Sequence, residues 1–283
     1  MMIKSLVVAA CALFASVASH AQVLRFAALP EEPQAIVQQR FAPLMRYLES
    51  RGMNAVWVPM PDMPTFIDAI AAKRVDFIWT NGFSYVLARQ RMGGNLIPIA
   101  QRSEDAQFKS VFISANESVK TLADIAGKTL IFGPASSASG HLMPRHFLIA
   151  QSPGTLEAAR STKFSASQDA VAWRVAADEQ SIGVVNEAVW TRMNAEGRLP
   201  KTGLKVFHTT PAFFDYCFAI PADRDPALIT ALQNALIGLD PRRGDDQPIL
   251  RALRASRIIA SNEENYSQLE AAAVQAGLIK KLP

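Results

Sequence analysis

Apolar positions along the chain alternate between strand-like runs and helical spacing. Val23 to Ala27 reads as a strand, and Gln34 to Arg51 follows with Val37, Phe41, Leu44 and Leu48 three or four residues apart, the spacing of one buried helix face. The alternation continues with a strand over Ala55 to Val58, a helix over Met63 to Ala72 and a strand over Val75 to Trp79. A helix over Phe83 to Arg91 and a strand over Leu96 to Gln101 complete it. This βαβαβαβ run predicts a mainly parallel sheet covered by helices on both faces. A second series opens with strands at Ser110 to Ser114 and Lys128 to Phe132, helices at Gly140 to Gln151 and Ser167 to Ala177, and a strand at Ser181 to Val185. A helix over Glu187 to Glu196 leads to strands at Leu204 to His208 and Tyr216 to Ile220. Beyond them the pattern reads as helical throughout, over Pro226 to Leu239, Pro248 to Arg254 and Glu264 to Ala276, with Gly277 as a C-cap.

Two α/β series and a helical tail predict an α/β protein of two lobes, crossed by the chain near Phe108 and again near Phe213. On this reading residues 22–108 plus 213–283 form lobe 1 and residues 109–212 form lobe 2. No Gly/Ser-rich or Pro-rich linker separates them. Short crossings of this kind act as hinges, and a cleft between hinged lobes is a common ligand site.

The first residues change the picture of location. Met1-Met2-Ile3-Lys4 precedes an apolar run from Ser5 to Val17, and Ser19-His20-Ala21 puts small residues at the −3 and −1 positions before Gln22. Residues 1–21 therefore read as a signal peptide cleaved near Ala21. The apolar stretch is shorter than the roughly 20 residues a spanning helix needs. Val8-Ala9-Ala10-Cys11 faintly resembles a lipobox, but little apolar segment precedes Cys11, so lipidation is the minor alternative.

Composition excludes several classes. With 49% hydrophobic and 19% charged residues the chain buries a large core and is not disordered. The 29 Lys and Arg against 25 Asp and Glu are scattered, so no nucleic-acid-binding stripe is present. Cys11 and Cys217 cannot build a disulfide framework or a thiolate zinc site. Gly127-Lys128-Thr129 imitates the end of a P-loop, but Leu122 stands where the motif needs glycine. There is no G-x-G-x-x-G and no H-E-x-x-H, and His141 and His146 are spaced onto different helix faces, with His208 far along the chain. Ser139 fails the nucleophile-elbow pattern because Ser137 occupies its glycine position. No enzyme, cofactor or metal site is expected.

Two loops carry positive signals. Thr80-Asn81-Gly82-Phe83-Ser84-Tyr85 and Gly133-Pro134-Ala135-Ser136-Ser137-Ala138-Ser139-Gly140 each join a strand end to a helix start, where α/β sheets bind ligands. Unpaired N–H groups, the positive end of the helix dipole and small hydroxyl residues together form an anion cradle. The serines alone read equally well as helix caps. A second loop facing the same cleft favours the cradle.

These segments, with their order and spacing, resemble the periplasmic phosphate/phosphite/phosphonate-binding proteins of ABC importers, of the phosphonate-binding type. The resemblance covers nearly the whole chain after the signal peptide. It is carried by Leu24-Arg25-Phe26 with Leu29-Pro30, Pro43-Leu44 with Tyr47-Leu48, and Val75-Asp76-Phe77-Ile78-Trp79 leading into Gly82 and Tyr85-Val86-Leu87-Ala88. Leu122 to Thr129, Ser137-Ala138-Ser139-Gly140 with Pro144, and the Tyr266 segment extend it. It implies a type II solute-binding fold, two mostly parallel sheets flanked by helices, that closes on a small oxyanion in the periplasm and hands it to an ABC permease, with the protein a monomer.

The resemblance also implies a ligand set. Ser136, Ser137, Ser139, the Gly140 amide and the adjacent His141 belong to the serine turn, where Ala138 replaces the family's threonine. Asn81, Gly82 and the aromatics Phe83 and Tyr85 supply the facing loop and cleft wall. Gln168 and Asn186 stand where the family usually has histidine and aspartate, so two neutral amides replace an ionisable pair. This predicts a preference shifted to another, or a more deprotonated, oxyanion. Glu187 is either an exposed helix-start carboxylate or a partner for an aminated ligand, and Asp215 either touches ligand or caps a turn. Trp79, Trp173 and Cys217 read as core. One alternative uses the same fold as the oxyanion-reporting partner of a membrane sensor kinase, with arsenic as one such ligand. Another is an enzyme acting on a phosphorylated small molecule.

Overall fold

The computed structural model describes residues 23–201 and 203–281, so the predicted signal peptide and its cleavage near Ala21 lie outside the described residues. Among the described residues, eleven strands form two sheets. The first has the order β11-β4-β10-β3-β1-β2, from β1 (Leu24–Ala28), β2 (Ala55–Trp57), β3 (Phe77–Thr80), β4 (Ile97–Arg102), β10 (Cys217–Ile220) and β11 (Ile258–Ala260). The second has the order β7-β6-β8-β5-β9, from β5 (Ser110–Ser114), β6 (Thr129–Phe132), β7 (Ser161–Phe164), β8 (Ser181–Asn186) and β9 (Lys205–Thr209).

The sheets share one design rule. Strands β1 to β4 run the same way, as do β6 to β9, and the first strand laid down after each crossing, β5 or β10, inserts antiparallel into the middle of its sheet. An antiparallel insert brings its amino-terminal end to the edge where its neighbours finish. Ser110 and Tyr216, at or just before those starts, therefore join the ligand-facing edge formed by the carboxyl ends of the parallel strands. Between the sheets, Phe108 and Phe213 form a two-hydrogen-bond antiparallel bridge, each N–H donating to the other's carbonyl at 2.9 Å.

Helices cover both faces of each sheet: α1 (Gln34–Ser50), α2 (Met63–Ala71), α3 (Gly82–Arg91), α8 (Pro226–Ile237), α9 (Gln247–Leu253) and α10 (Ser267–Gln275) on the first, and α4 (Met143–Gln151), α5 (Thr155–Ala158), α6 (Gln168–Ala176) and α7 (Glu187–Ala195) on the second. The apolar face of α1 buries Val37, Phe41, Leu44 and Leu48, as its spacing predicts. One apolar cluster joins the sheets, because Leu142, Met143 and Phe147 pack with residues such as Phe213, Tyr266 and Leu269.

Four features depart from the sequence reading. The carboxyl-terminal region is not wholly helical, since Ile258–Ala260 pairs with β4 as the edge strand β11. The exposed edge strand β7 is likewise absent from that reading, and neither Ser161–Phe164 nor Ile258–Ala260 alternates apolar and polar residues. The helix predicted from Gly140 begins as a π turn over Ala138–Leu142, with regular α-helix from Met143. Trp173 lies on the surface rather than in the core, whereas Gly277 follows α10 with φ of 71°, the left-handed geometry of a helix stop.

Candidate functional site

Three adjacent strands of the second sheet end together. The chain leaving β6 enters the Gly133–Ser139 loop, β7 leads to Gln168 at the start of α6, and β8 ends at Asn186, which caps α7. Asn186 Oδ1 accepts from the N–H groups of Ala188 at 2.7 Å and Val189 at 3.2 Å, which turns Nδ2 towards Ser139 Oγ at 3.2 Å. Gln168 Oε1 accepts the Asn186 N–H, which leaves Nε2 at 3.4 Å from both Ser137 Oγ and Ser139 Oγ. Ser137 Oγ also accepts from the Gly140 N–H at 2.9 Å. Each hydroxyl oxygen thus already accepts two N–H bonds and keeps its own O–H for donation.

The loop is held tightly. Gly133 donates to the Gly140 carbonyl at 2.8 Å, and a Cβ on either glycine would stand 3.2 Å from the other's Cα. Ser110 Oγ donates to the Ser139 carbonyl at 2.6 Å. His141 Nδ1 lies 2.9 Å from the Ala135 carbonyl, and its ring sits edge-on to Phe132 and Phe164. Burial pushes the His141 pKa down. The neutral ring therefore pins the loop from behind and does not face the cleft.

From the first sheet, Asn81 caps α3 by accepting the Ser84 N–H at 2.8 Å, and its Nδ2 lies 3.4 Å from both Glu31 Oε1 and the Ser136 carbonyl. The two predicted loops therefore meet. The rest of the first loop turns away. Phe83 and Tyr85 are core residues and not cleft-wall aromatics, with the Tyr85 hydroxyl donating to the Leu96 carbonyl at 3.1 Å and its ring against Tyr266. A helix that starts at Gly82 rotates these two side chains towards α2 and α10. Gly82 is wedged there, since a Cβ would overlap Leu269 Cδ1. Its N–H donates to Asp215 Oδ1 at 3.0 Å. Asp215 is buried beneath α3, and burial, with Asp105 and Glu31 nearby, pushes its pKa well up. Glu187 donates its N–H to the Lys109 carbonyl at 3.0 Å, and its carboxylate is not part of the cavity wall.

Between the sheets lies a cavity of about 260 Å³, walled by Gln168 and Asn186 on one side and by Trp79, Tyr216 and Phe108 on the other. Trp79, expected as core alone, is buried yet forms this wall, stacked on Tyr216 with ring centroids 5.5 Å apart. Arg102 lies 5.1 and 5.3 Å from those two ring centroids and bonds both oxygens of buried Asp105, at 2.6 and 2.7 Å. Although burial would lower it, the Arg102 pKa stands raised because of Asp105, so the guanidinium stays charged. Tyr216 donates to Glu31, with its hydroxyl 2.9 and 2.7 Å from the two carboxylate oxygens. Glu31 is an exposed residue, yet the packing around its carboxylate pushes its pKa up.

Sequence reasoning missed Glu31, Arg102, Tyr216 and Ser110. The signal for Arg102 was available, because it ends a strand just as Thr80 does. Those for Tyr216 and Ser110 depend on the antiparallel inserts. Cys217, next along β10, is fully buried, and burial raises its thiol pKa.

A family profile described as "ABC transporter, phosphonate, periplasmic substrate-binding protein" matches residues 26–266. The chain belongs to this family. Its members are substrate-binding proteins and not enzymes, and the periplasm is their place of work. A relative from Prochlorococcus marinus (strain MIT 9301), described as a probable ABC transporter phosphite binding protein, PhnD1, is 26% identical over 266 residues, 89% of each chain. The solved structure of PhnD1 with methylphosphonate superposes with a TM-score of 0.77 at 25% identity, covering 91% of this chain and 99% of that one. A binding-protein component of an ABC phosphonate transporter from Pseudomonas aeruginosa, 18% identical, shares the fold with a TM-score of 0.69 over 90% of this chain and 86% of that one. The type II two-lobed fold expected from the sequence is thereby established. The sensor-partner and enzyme alternatives gain no support from these relatives.

Proposed function

We propose that the interlobe cleft captures a small, deprotonated phosphorus oxyanion, a phosphonate in the first instance, and presents it to an ABC permease. The observation that carries this reading is the double acceptance at Ser137 Oγ and Ser139 Oγ, which leaves both hydroxyls to donate. The Asn186 NH₂ group keeps a second N–H, and the positive dipole ends of α6 and α7 lie beside it, since Gln168 at the start of α6 accepts the Asn186 N–H. A donor-only cradle matches an oxyanion that has lost its protons, because a ligand O–H would find no acceptor there. Asn81, Ser136 and Gly140 complete the rim in this reading, with Gly82, His141 and Asp215 supporting it from behind.

The same reading places residues 22–108 plus 213–283 in one lobe and 109–212 in the other, moving about the Phe108–Phe213 bridge. It takes the exported protein to be a monomer released by cleavage near Ala21. Thermal melting with and without methylphosphonate tests the ligand assignment. A ligand at a hundred times its Kd stabilises the native state by about 2.7 kcal/mol. A rise in Tm with methylphosphonate, lost in Ser139→Ala, is the expected result. No rise with methylphosphonate, phosphite or phosphate would reject the reading.

A further inference from the structure

The cavity is larger than one tetrahedral group needs. At about 30 Å³ per water its 260 Å³ corresponds to about nine waters. Its wall holds the Gln168 and Asn186 amides that bond the cradle serines, together with the Trp79–Tyr216 stack and with Arg40, Arg254 and Arg192. Arg40 lies on α1 and Arg254 caps the end of α9, both with the first sheet, whereas Arg192 belongs to α7 on the second.

Their counter-charges are few. Arg40 pairs closely with Glu32, and Arg254 reaches the same carboxylate only at 4.0 Å. Arg192 lies 3.7 Å from Asp169, which makes its shorter bond, 2.7 Å, to Arg198. The two carboxylates on the cavity wall are committed elsewhere. Glu31 accepts from Tyr216 and Asn81, and Glu104 accepts from the Ser256 N–H at 2.8 Å and the Ser103 hydroxyl at 3.1 Å. Partial burial, then the charges of Arg40, Arg192 and Arg102, lower the Arg254 pKa, a mark of like charges crowding one space.

We infer that the ligand of this cleft carries a second anionic group, joined to its phosphonate by a short apolar spacer, and that Arg40, Arg192 and Arg254 bind that group. The inference rests on the reading of the cradle as a phosphonate site. The spacer lies along the Trp79–Tyr216 wall. Because Arg192 faces arginines of the other sheet, a bridging anion replaces their mutual repulsion with charge-assisted hydrogen bonds, frequently bidentate for arginine.

Two ligands of nearly the same shape and opposite terminal charge test this: 3-phosphonopropionate and 2-aminoethylphosphonate, with methylphosphonate as the common reference, in calorimetric titrations of the whole protein. The expected result is 3-phosphonopropionate binding at least about tenfold tighter than 2-aminoethylphosphonate. In the Arg192→Gln, Arg254→Gln double variant that ratio should fall below about threefold, with methylphosphonate binding showing that the cradle has folded. Equal or tighter binding of 2-aminoethylphosphonate, or a preference untouched by the double variant, would overturn the inference while leaving the phosphonate reading intact. Absence of binding by all three ligands would overturn both.

Discussion

Replacing Asn186 by aspartate isolates one charge in the cradle. An aspartate keeps the cap on α7, because a carboxylate oxygen accepts from the Ala188 and Val189 N–H groups as well as the amide oxygen does. What changes is the other atom: Nδ2, a donor 3.2 Å from Ser139 Oγ, becomes a carboxylate oxygen. A ligand oxygen accepting from Ser139 at about 2.7 Å lies up to about 6 Å from that new charge. At an effective dielectric constant of about 20, two unit charges at about 6 Å repel by about 3 kcal/mol, so binding of a phosphonate should weaken about a hundredfold. The repulsion also raises the pKa of the introduced carboxylate in the complex, so the loss should shrink as the pH falls. Tryptophan fluorescence is a suitable assay, since Trp79 lines the cavity. The expected pattern is an affinity that rises with pH between 6 and 8 for the parent, as the ligand loses its last proton, and a parent-to-Asn186→Asp affinity ratio that widens over the same range. Equal affinities within about threefold across that range would refute the argument that Asn186 faces the anion.

Two further outcomes separate supporting residues from ligand contacts. Tyr85→Phe removes the hydroxyl bonded to the Leu96 carbonyl and should cost about 1 kcal/mol in urea unfolding, with methylphosphonate affinity preserved because the ring lies in the core. Asp215 has a pKa raised above its unfolded value, so its stabilising contribution is full below the unfolded pKa and is lost as the pH rises through the raised value. Asp215→Asn keeps an acceptor for the Gly82 N–H and should flatten the decline of Tm from pH 5 to pH 8; an unchanged slope would show that another group controls it.

Much of this protein is legible in its sequence, because periodicity and strand-end chemistry are local properties. The α1 face of Val37, Phe41, Leu44 and Leu48, the alternation of strands and helices, and the two strand-to-helix loops follow from spacing alone. The serine loop, Gln168 and Asn186 converge because they follow the adjacent strands β6, β7 and β8. Other assignments depended on direction in space. Phe83 and Tyr85 stand in the predicted loop, but the rotation of α3 sends them into the core, and the edge strands β7 and β11 carry no apolar–polar alternation.

The tertiary structure alone decided what the facing wall contains. Tyr216 reaches the ligand edge because β10 inserts antiparallel between β3 and β4, and that insertion pairs Cys217 with Thr80 and Phe218 with Trp79. Arg40, Arg102 and Arg254, far apart in the chain, are gathered on the first sheet's side, and Arg192 joins them only because the second sheet faces it. Charge scattered evenly along a sequence carries no sign of a cationic cleft, because the interaction that creates one depends on distance between folded elements and not on separation along the chain.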